Sequence, residues 1–453
     1  MVAPQSHKIR PAAIGVLLAV STFGAAAQGA GEVEFSRGVG FAQTAGQVPR
    51  TLGKGLSLKE GDRLTTSDGA SAIIKMEDGT RMTVRPNSEI VLQQYKFREN
   101  ATDNSMLMQL VRGGFRAVTG LIAKGSPNAA KVQTNTATIG IRGTDFDARV
   151  CVRDCATESA AVSESSRPNA VQASAKVVSS QGTVNAVDSS GQRRRLVNGG
   201  SVYPGDLVET SGATQAVLAF RDDTRITLGS TTRFRVDNFV YDTKNAGEGR
   251  FLASVLRGSV RALTGLIAKA NNRNVGFNTA TATIGIRGTG LDINCDSREN
   301  TDTCEDLTLW TWLGSIAVNR QGDTALQVLQ EGQGLQITPT AIRPIASQPT
   351  MDGPRPDAVT VPPKLFSGDN VSDSEEGLFV FVRDGHIEIA TAGDILHLGK
   401  GEAGFAGVGG ETKRPISVPK FLEFDKTPLP SSRNPLLVSV LAESGVKAGG
   451  QCK

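Results

Sequence analysis

Arg142 and Arg287 are the first residues whose type and setting could do chemistry. Each sits between glycines in the string Thr-Ala-Thr-Ile-Gly-Ile-Arg-Gly-Thr. A guanidinium held there could receive an anion. An Asp follows five residues later in both places, Asp147 and Asp292. A fixed Arg at a sheet edge commonly pairs with such a neighbour or bonds carbonyls, and that reading is the favoured one. The five cysteines are Cys151, Cys155, Cys295, Cys304 and Cys452. Two local pairs, Cys151 with Cys155 and Cys295 with Cys304, each predict a disulfide closing a short loop. Cys452 is left free or bonded to another molecule. A metal site would want Cys-x-x-Cys spacing and a nearby His, and has neither. His386 and His397 fall in a strand-like region and read as structural or surface residues. The loop from Asp296 to Asp306 carries Asp296, Glu299, Asp302, Glu305 and Asp306, but its spacing is not that of an EF-hand. No Gly-x-Ser-x-Gly, His-Glu-x-x-His or P-loop occurs. No carboxylate pair suited to glycan hydrolysis stands out. Trp310 and Trp312, two apart, face one way and could stack a sugar, although a core or interface position is favoured. The expectation is no catalytic centre, no cofactor and no metal.

The elements that must position these residues repeat. LVRGGFRAVTGLIAK (110–124) and VLRGSVRALTGLIAK (255–269) match, as do NTATIGIRGT (135–144) and ATATIGIRGT (280–289). The offset is 145 residues at both places and holds from Arg112 to Thr144 without a gap. Upstream, Ala72, Ile74 and Met76 alternate into Asp78-Gly79 and then Met82 and Val84, a hairpin pattern. The second copy has Ala216, Leu218 and Phe220, then Asp222-Asp223, then Ile226 and Leu228. Ile90 and Leu92, and Phe234 and Val236, predict a further strand in each copy. Period-two alternation puts these residues on one sheet face. Within the shared string, Thr136, Thr138, Thr281 and Thr283 suit a strand. Gly140, Gly143, Gly285 and Gly288 would let the strand bend or another backbone approach. Gly120 to Lys124 and Gly265 to Lys269 predict a turn and strand, since the Walker spacing is absent.

Bulk composition agrees with an all-β chain: 453 residues, 39% hydrophobic, 51 glycines and 5% aromatics. This favours short strands and tight turns. The net charge of +4 is too small for a nucleic-acid partner, which needs a concentrated basic patch. His7, Lys8 and Arg10, the apolar run from Ala12 to Phe23 and Ala25-Ala26-Ala27 predict a signal peptide over 1–27. No later stretch approaches a membrane span, so the mature chain is expected to lack one and to lie in the periplasm or outside the cell, where disulfides persist.

A smaller echo follows. LWTWLGSIAV (309–318) and VFVRDGHIEI (380–389) place Gly314 and Gly385 in register, and each leads to a glycine-rich close at 331–337 and 400–406. The predicted organisation is a first core over 38–150, a Ser/Ala-rich linker over 151–174, and a second domain with its closing hairpin over 175–337. A Pro-rich tether over 338–376, a hairpin over 377–407 and a tail over 408–453 complete it. The late hairpin is expected to close the first core, with the second domain nested inside. Contact between Phe379–Ile389 and 38–150 tests this against a linear string of modules.

These motifs resemble the FecR-type domain family. The shared features are the Gly-Asp step (Gly61-Asp62, Gly205-Asp206), the Asp-Gly hairpin, Ala-Thr-Ile-Gly-Ile-Arg-Gly-Thr and a closing hairpin. The resemblance implies two β-rich, solenoid-like or sandwich-like periplasmic modules that handle proteins. In the family's regulators such a module hears from an outer-membrane receptor and signals through a membrane helix to a sigma factor. The sequence here departs from that plan, with neither an anti-sigma segment nor a retained membrane helix expected. The expected function is a non-catalytic interaction or signalling module whose partner is an envelope protein, such as an outer-membrane receptor. The alternative is an envelope structural or glycan-binding and adhesion protein.

Overall fold

The computed structural model describes residues 29–125, 129–296, 301–323, 325–362 and 365–424, with 428 and 430, and the side chain of Arg142 is not among what it describes. The expected signal peptide, Glu299, the tail's apolar run and Cys452 lie outside the described residues. The chain is all-β. One sheet system joins strands from 29–151 with strands from 377–413; a second joins strands from 175–345. Each has its own apolar core. Ala30 through Ala148 packs with Leu378 through Ala406, and Ala175 through Ile337 packs by itself. Phe379–Ile389 runs antiparallel to 139–149 within the pairing of Thr138–Cys151 with Gly377–Ala390. The strands of 377–407 are therefore part of the first sheet system, and the strands of the second lie between its two stretches in sequence.

Long bent strands tie the two layers of each unit. Ser105–Val118 pairs with Glu89–Lys96 through its first half and with Arg81–Val84 through its second. The bend falls at Gly113, whose φ of +73° suits only glycine well. Arg250–Leu263 does the same between Arg233–Val240 and Arg225–Leu228. Each long strand also takes a parallel neighbour, Ala130–Gln133 or Val275–Asn278. Parallel pairing requires a crossover. Here it is carried by one-turn helices, Leu121–Gly125 and Leu266–Ala270. This corrects the turn-and-strand expectation for Gly120 to Lys124 and for Gly265 to Lys269.

The helix arises because the preceding hairpin turn offers it a carboxylate. Asp78 is buried; its Oδ1 accepts the Thr80 amide at 3.1 Å, and its Oδ2 accepts the Thr80 hydroxyl at 2.9 Å and the Ile122 amide at 3.2 Å. Thr80 Oγ1 accepts the Gly120 amide at 2.9 Å. Asp222, Thr224 and Gly265 repeat the arrangement, with Thr224 Oγ1 accepting the Gly265 amide at 2.9 Å. Burial raises the Asp222 carboxyl above its usual range, opposed by the Thr224 hydroxyl and amide. The Gly-Asp steps serve a similar end: Asp62 takes Arg50 at 2.6 Å and the Lys59 amide at 3.0 Å, while Asp206 takes Arg194 and the Tyr203 amide.

The two expected linkers are not bare tethers. Residues 154–175 contain the helix Cys155–Ala160, and Asn169 bonds Ala403 and Pro415. In 338–376, Ile342–Ile345 pairs with Gln333–Ile337 and the following chain lies against the second sheet system. No helix among the described residues is long and apolar enough to cross a membrane.

Candidate functional site

The shared string is a structural corner. Thr138 opens a strand between Gln133 and Ala390, and Thr283 lies exposed between Asn278 and Asn319. Thr136 and Thr281 are not in the strand. They sit in the turn before it, where Thr134 Oγ1 accepts the amides of Thr136 and Ala137 and Thr279 Oγ1 those of Thr281 and Ala282. Gly143 and Gly288 take φ of +58° and +72° and bend the chain. Gly140 pairs with Lys131 and Glu388; a side chain at Gly285 would meet only ordinary contacts, so close approach is not required there. The close approach is made instead by Gly385 and Gly314. A Cβ on these would lie 2.6 Å from the Gly143 carbonyl oxygen and 2.4 Å from that of Gly288. The string's final threonines lock the corner: Thr144 and Thr289 donate amides to Thr119 and Thr264 hydroxyls at 2.7 and 2.9 Å.

Arg287 is exposed and makes no ion pair with Asp292. The expected local pairing is overturned there, because Asp292 is already taken. Its Oδ1 accepts Arg261 Nε and Trp312 Nε1, each at 3.1 Å, and its Oδ2 accepts Gln348 at 2.7 Å. Asp147 is likewise taken, by Arg116 Nε on one oxygen and Arg383 Nε at 2.6 Å on the other. The pairs that matter are thus Arg116–Asp147 and Arg261–Asp292, on neighbouring strands joined in register.

These pairs aim their remaining donors off the sheet onto main-chain carbonyls. In the first unit, Arg116 Nη2 and Arg383 Nη2 donate to the Leu422 carbonyl at 3.3 and 3.0 Å, and Arg85 Nη2 donates to that of Phe421 at 2.8 Å. The strap they hold includes the one-turn helix Lys420–Glu423. Its Phe421 and Leu422 are buried with Phe379, Phe405 and the Cys151–Cys155 disulfide. In the second unit, Arg261 Nη1 donates to the Gly353 carbonyl at 3.4 Å and Arg225 Nη1 to that of Val359 at 3.2 Å. Thr227 donates to the Pro354 carbonyl at 2.9 Å, and Arg355 stacks 4.1 Å from the Trp312 ring centroid. Each unit's outer face therefore carries a strap from its own downstream chain. Cations that meet carbonyls at the end of a helical turn also answer the partial negative charge there.

The first platform is the more heavily charged. Arg85, Arg116, Arg149, Asp147 and the half-exposed Glu158 cluster beneath the strap. Burial pushes Arg116 down to about 10, with Asp147 opposing, and lowers Arg85 as well. At Arg149 burial lowers the value, but the Glu158 and Asp154 carboxylates outweigh it and the net direction is up. Arg149 Nη2 holds Asp154 at 2.6 Å and Glu158 at 2.5 Å, fixing the helix Cys155–Ala160. A cleft of about 660 Å³ opens beside this strap, bordered by Arg37, Asp68, Arg85, Glu158 and Phe424.

Cys151 and Cys155 are bonded, with Cα atoms 5.6 Å apart, as are Cys295 and Cys304 at 4.9 Å. Asp154 lies close to the first pair. Its carboxylate is occupied by Arg149 and the Val152 amide, and the sulfurs are occupied by each other. Burial raises the Asp145 carboxyl to about 6, with Arg383 opposing. His386 Nε2 lies 3.1 Å from His397 Nδ1 at the contact with Tyr203. Trp310 is buried and Trp312 lies beneath Arg355, so the paired tryptophans are not an open sugar platform.

Residues 62–166 match the protein family described as FecR protein. That stretch contains Arg85, Arg116, Asp147 and Glu158, and does not reach the second unit. No curated protein matches. Two crystal structures of a candidate anti-sigma factor from Parabacteroides distasonis ATCC 8503 are similar, at 14% identity and a TM-score of 0.24 over 31% of this chain. This chain spans 58% of that relative.

The sequence singles out Asp147 and Asp292, but Asp292 is held by Arg261 and not by the nearer Arg287. Arg116 and Arg261 are also 145 residues apart, within the other shared string. That coincidence was the available signal. Arg85 and Arg383 have no counterpart arginine in the second copy and left no signal of that kind.

Proposed function

We propose that this chain is an exported, non-catalytic FecR-type module of the signalling or regulatory class, whose ligand is a peptide segment of another envelope protein. It comprises two units, the second inserted in the first: 38–150 closed by 377–407, and 175–337. The observation that carries the reading is the pair of platforms. In both units an Arg–Asp pair turns a guanidinium outward onto the main-chain carbonyls of a strap. Carbonyl recognition tolerates many side-chain sequences, while flanking apolar pockets select among them. The clustered charges support binding rather than catalysis. They are committed to one another and to main-chain carbonyls. Two disulfides agree with an oxidising compartment such as the periplasm.

The test is photo-crosslinking in intact cells from a reactive residue placed at Ser163, on the rim of the cleft beside the first strap. Recovery of a discrete envelope protein is expected. Recovery of cell-wall glycan alone would overturn the reading.

A further inference from the structure

Within the chain, the two units meet through a tail edge of the first and a head of the second. The tail edge is the strand Ile395–Gly399 with the corner at Gly143. The head comprises residues 192–203. The Gln192 amide packs so near Gly143 that a Cβ there would meet it at 3.1 Å. Gly199 faces the Ile395 carbonyl, the Tyr203 ring fills the space at Gly399, and Tyr203 stands edge-on to His386 at 5.9 Å. On the face turned to this contact His397 is buried, at 2% exposure, and Ile395 is half-buried, while the alternate residues Leu396 and Leu398 belong to the first unit's own core.

Both units carry both surfaces. In the second unit the strand Leu326–Gln330 occupies the place of Ile395–Gly399. It pairs with Ser315–Arg320 as the first pairs with 386–390, and Ser315↔Gln330 answers His386↔Gly399. In the first unit residues 48–59 occupy the place of 192–203. Gly55 and Gly199 share the same backbone turn, with φ of +83° and +84° and amides bonded to Val33 and Val177 carbonyls. Val48 stands where Gln192 stands.

These second copies of the two surfaces are open. Leu326 is 57% and Val328 43% exposed, where their counterparts Ile395 and His397 are half-buried and buried; Val48 is 80% exposed. A side chain at Gly288, the counterpart of Gly143, would meet nothing within 4 Å. The strand Leu-Gln-Val-Leu-Gln carries no charge and no proline. Solvent-facing edge strands are normally guarded by one or the other, because their free backbone groups recruit further strands. Phe41, 41% exposed, adds apolar surface to the same unit as Val48.

We propose that the tail edge Leu326–Gln330 of one molecule docks on the head, residues 48–59, of a second copy of this chain. The contact repeats between molecules the one made within each. The two surfaces differ, so the interface is heterologous and continues as a ring or a filament instead of stopping at a two-fold dimer. It uses neither strap platform, and its failure would leave the proposed peptide binding untouched.

The test is sedimentation velocity of the purified, oxidised chain over a concentration series, with Val328→Glu, Val48→Glu and an equimolar mixture of the two. Circular dichroism melting checks that each variant folds, and Leu326→Lys replaces Val328→Glu if it does not. Wild type should give species larger than a monomer that grow with concentration. Each variant alone should associate about tenfold less or worse, since a charge is left facing an apolar partner. The mixture should recover a dimer and nothing larger, because Val48→Glu keeps a working tail edge and Val328→Glu a working head. A wild type that stays monomeric to about 100 μM, where only affinities weaker than that would go unseen, overturns the proposal. So does Val48→Glu associating like wild type, or a mixture that stays monomeric.

Discussion

Replacing Asp147 with Asn probes the first platform at its centre. Asp147 is fully buried, and each oxygen accepts an arginine Nε, from Arg116 and from Arg383. Asn keeps the shape but supplies one acceptor, turns an NH₂ toward the other guanidinium and removes a fully buried counter-charge. Removing one partner of a buried pair costs about 3–5 kcal/mol. Here Leu422 still accepts from both arginines, so the lower end, about 3 kcal/mol, is expected. The assay is urea unfolding at pH 7 followed by two probes. Both tryptophans, Trp310 and Trp312, lie in the second unit, so fluorescence reports that unit while circular dichroism reports both. With two cores the transition need not be two-state. The substitution should shift the dichroism transition and leave the fluorescence transition in place. A loss under about 1 kcal/mol, below what a buried charge pair can hide, or an equal shift of both probes, would refute the reasoning.

Three further outcomes follow from the same geometry. Asp145 has a folded value of about 6 against an ordinary 3.8. Its protonated form therefore favours folding below about pH 4, and that contribution is lost as pH rises through 6. Asp145→Asn should be more stable than wild type at pH 7 by about 1 kcal/mol after solvent screening, and no more stable at pH 3.5, in thermal melts. Reducing the two disulfides, which close loops of 4 and 9 residues' separation, should cost about 2–3 kcal/mol each, read as a lower melting temperature with dithiothreitol. Gly314→Ala should cost more than about 2 kcal/mol. Its φ is +71° and the new methyl would meet the Gly288 carbonyl; melting of the purified variant checks it.

Much of the fold was legible because its signals are local. Alternation gave the hairpins at 72–84 and 216–228, and the shared register of Gly314 and Gly385 marked equivalent corners long before their role was visible. The helices Leu121–Gly125 and Leu266–Ala270 were not legible. Five residues carry no helical period, and the cause, a buried Asp some forty residues earlier, is a tertiary contact. The platforms were half legible. Aspartates 147 and 292 stood out by position, but Arg116 and Arg261, which hold them, lie across the sheet, and sequence proximity pointed to Arg287 for Asp292. The straps read as linker and tail because their composition is that of linkers. What pins them is a few carbonyls, and a carbonyl has no sequence signature.

The central claim is that arginines on the sheet hold the strap by its backbone. Hydrogen exchange of the Leu422, Glu423 and Phe424 amides measures this most directly, since those amides bond only within the strap, to the carbonyls of Pro419 and Lys420. A turn this short is not stable alone. In Arg116→Met, these amides should lose protection about tenfold or more while those of 138–150 keep theirs. Unchanged protection of the strap in the folded variant would contradict the account.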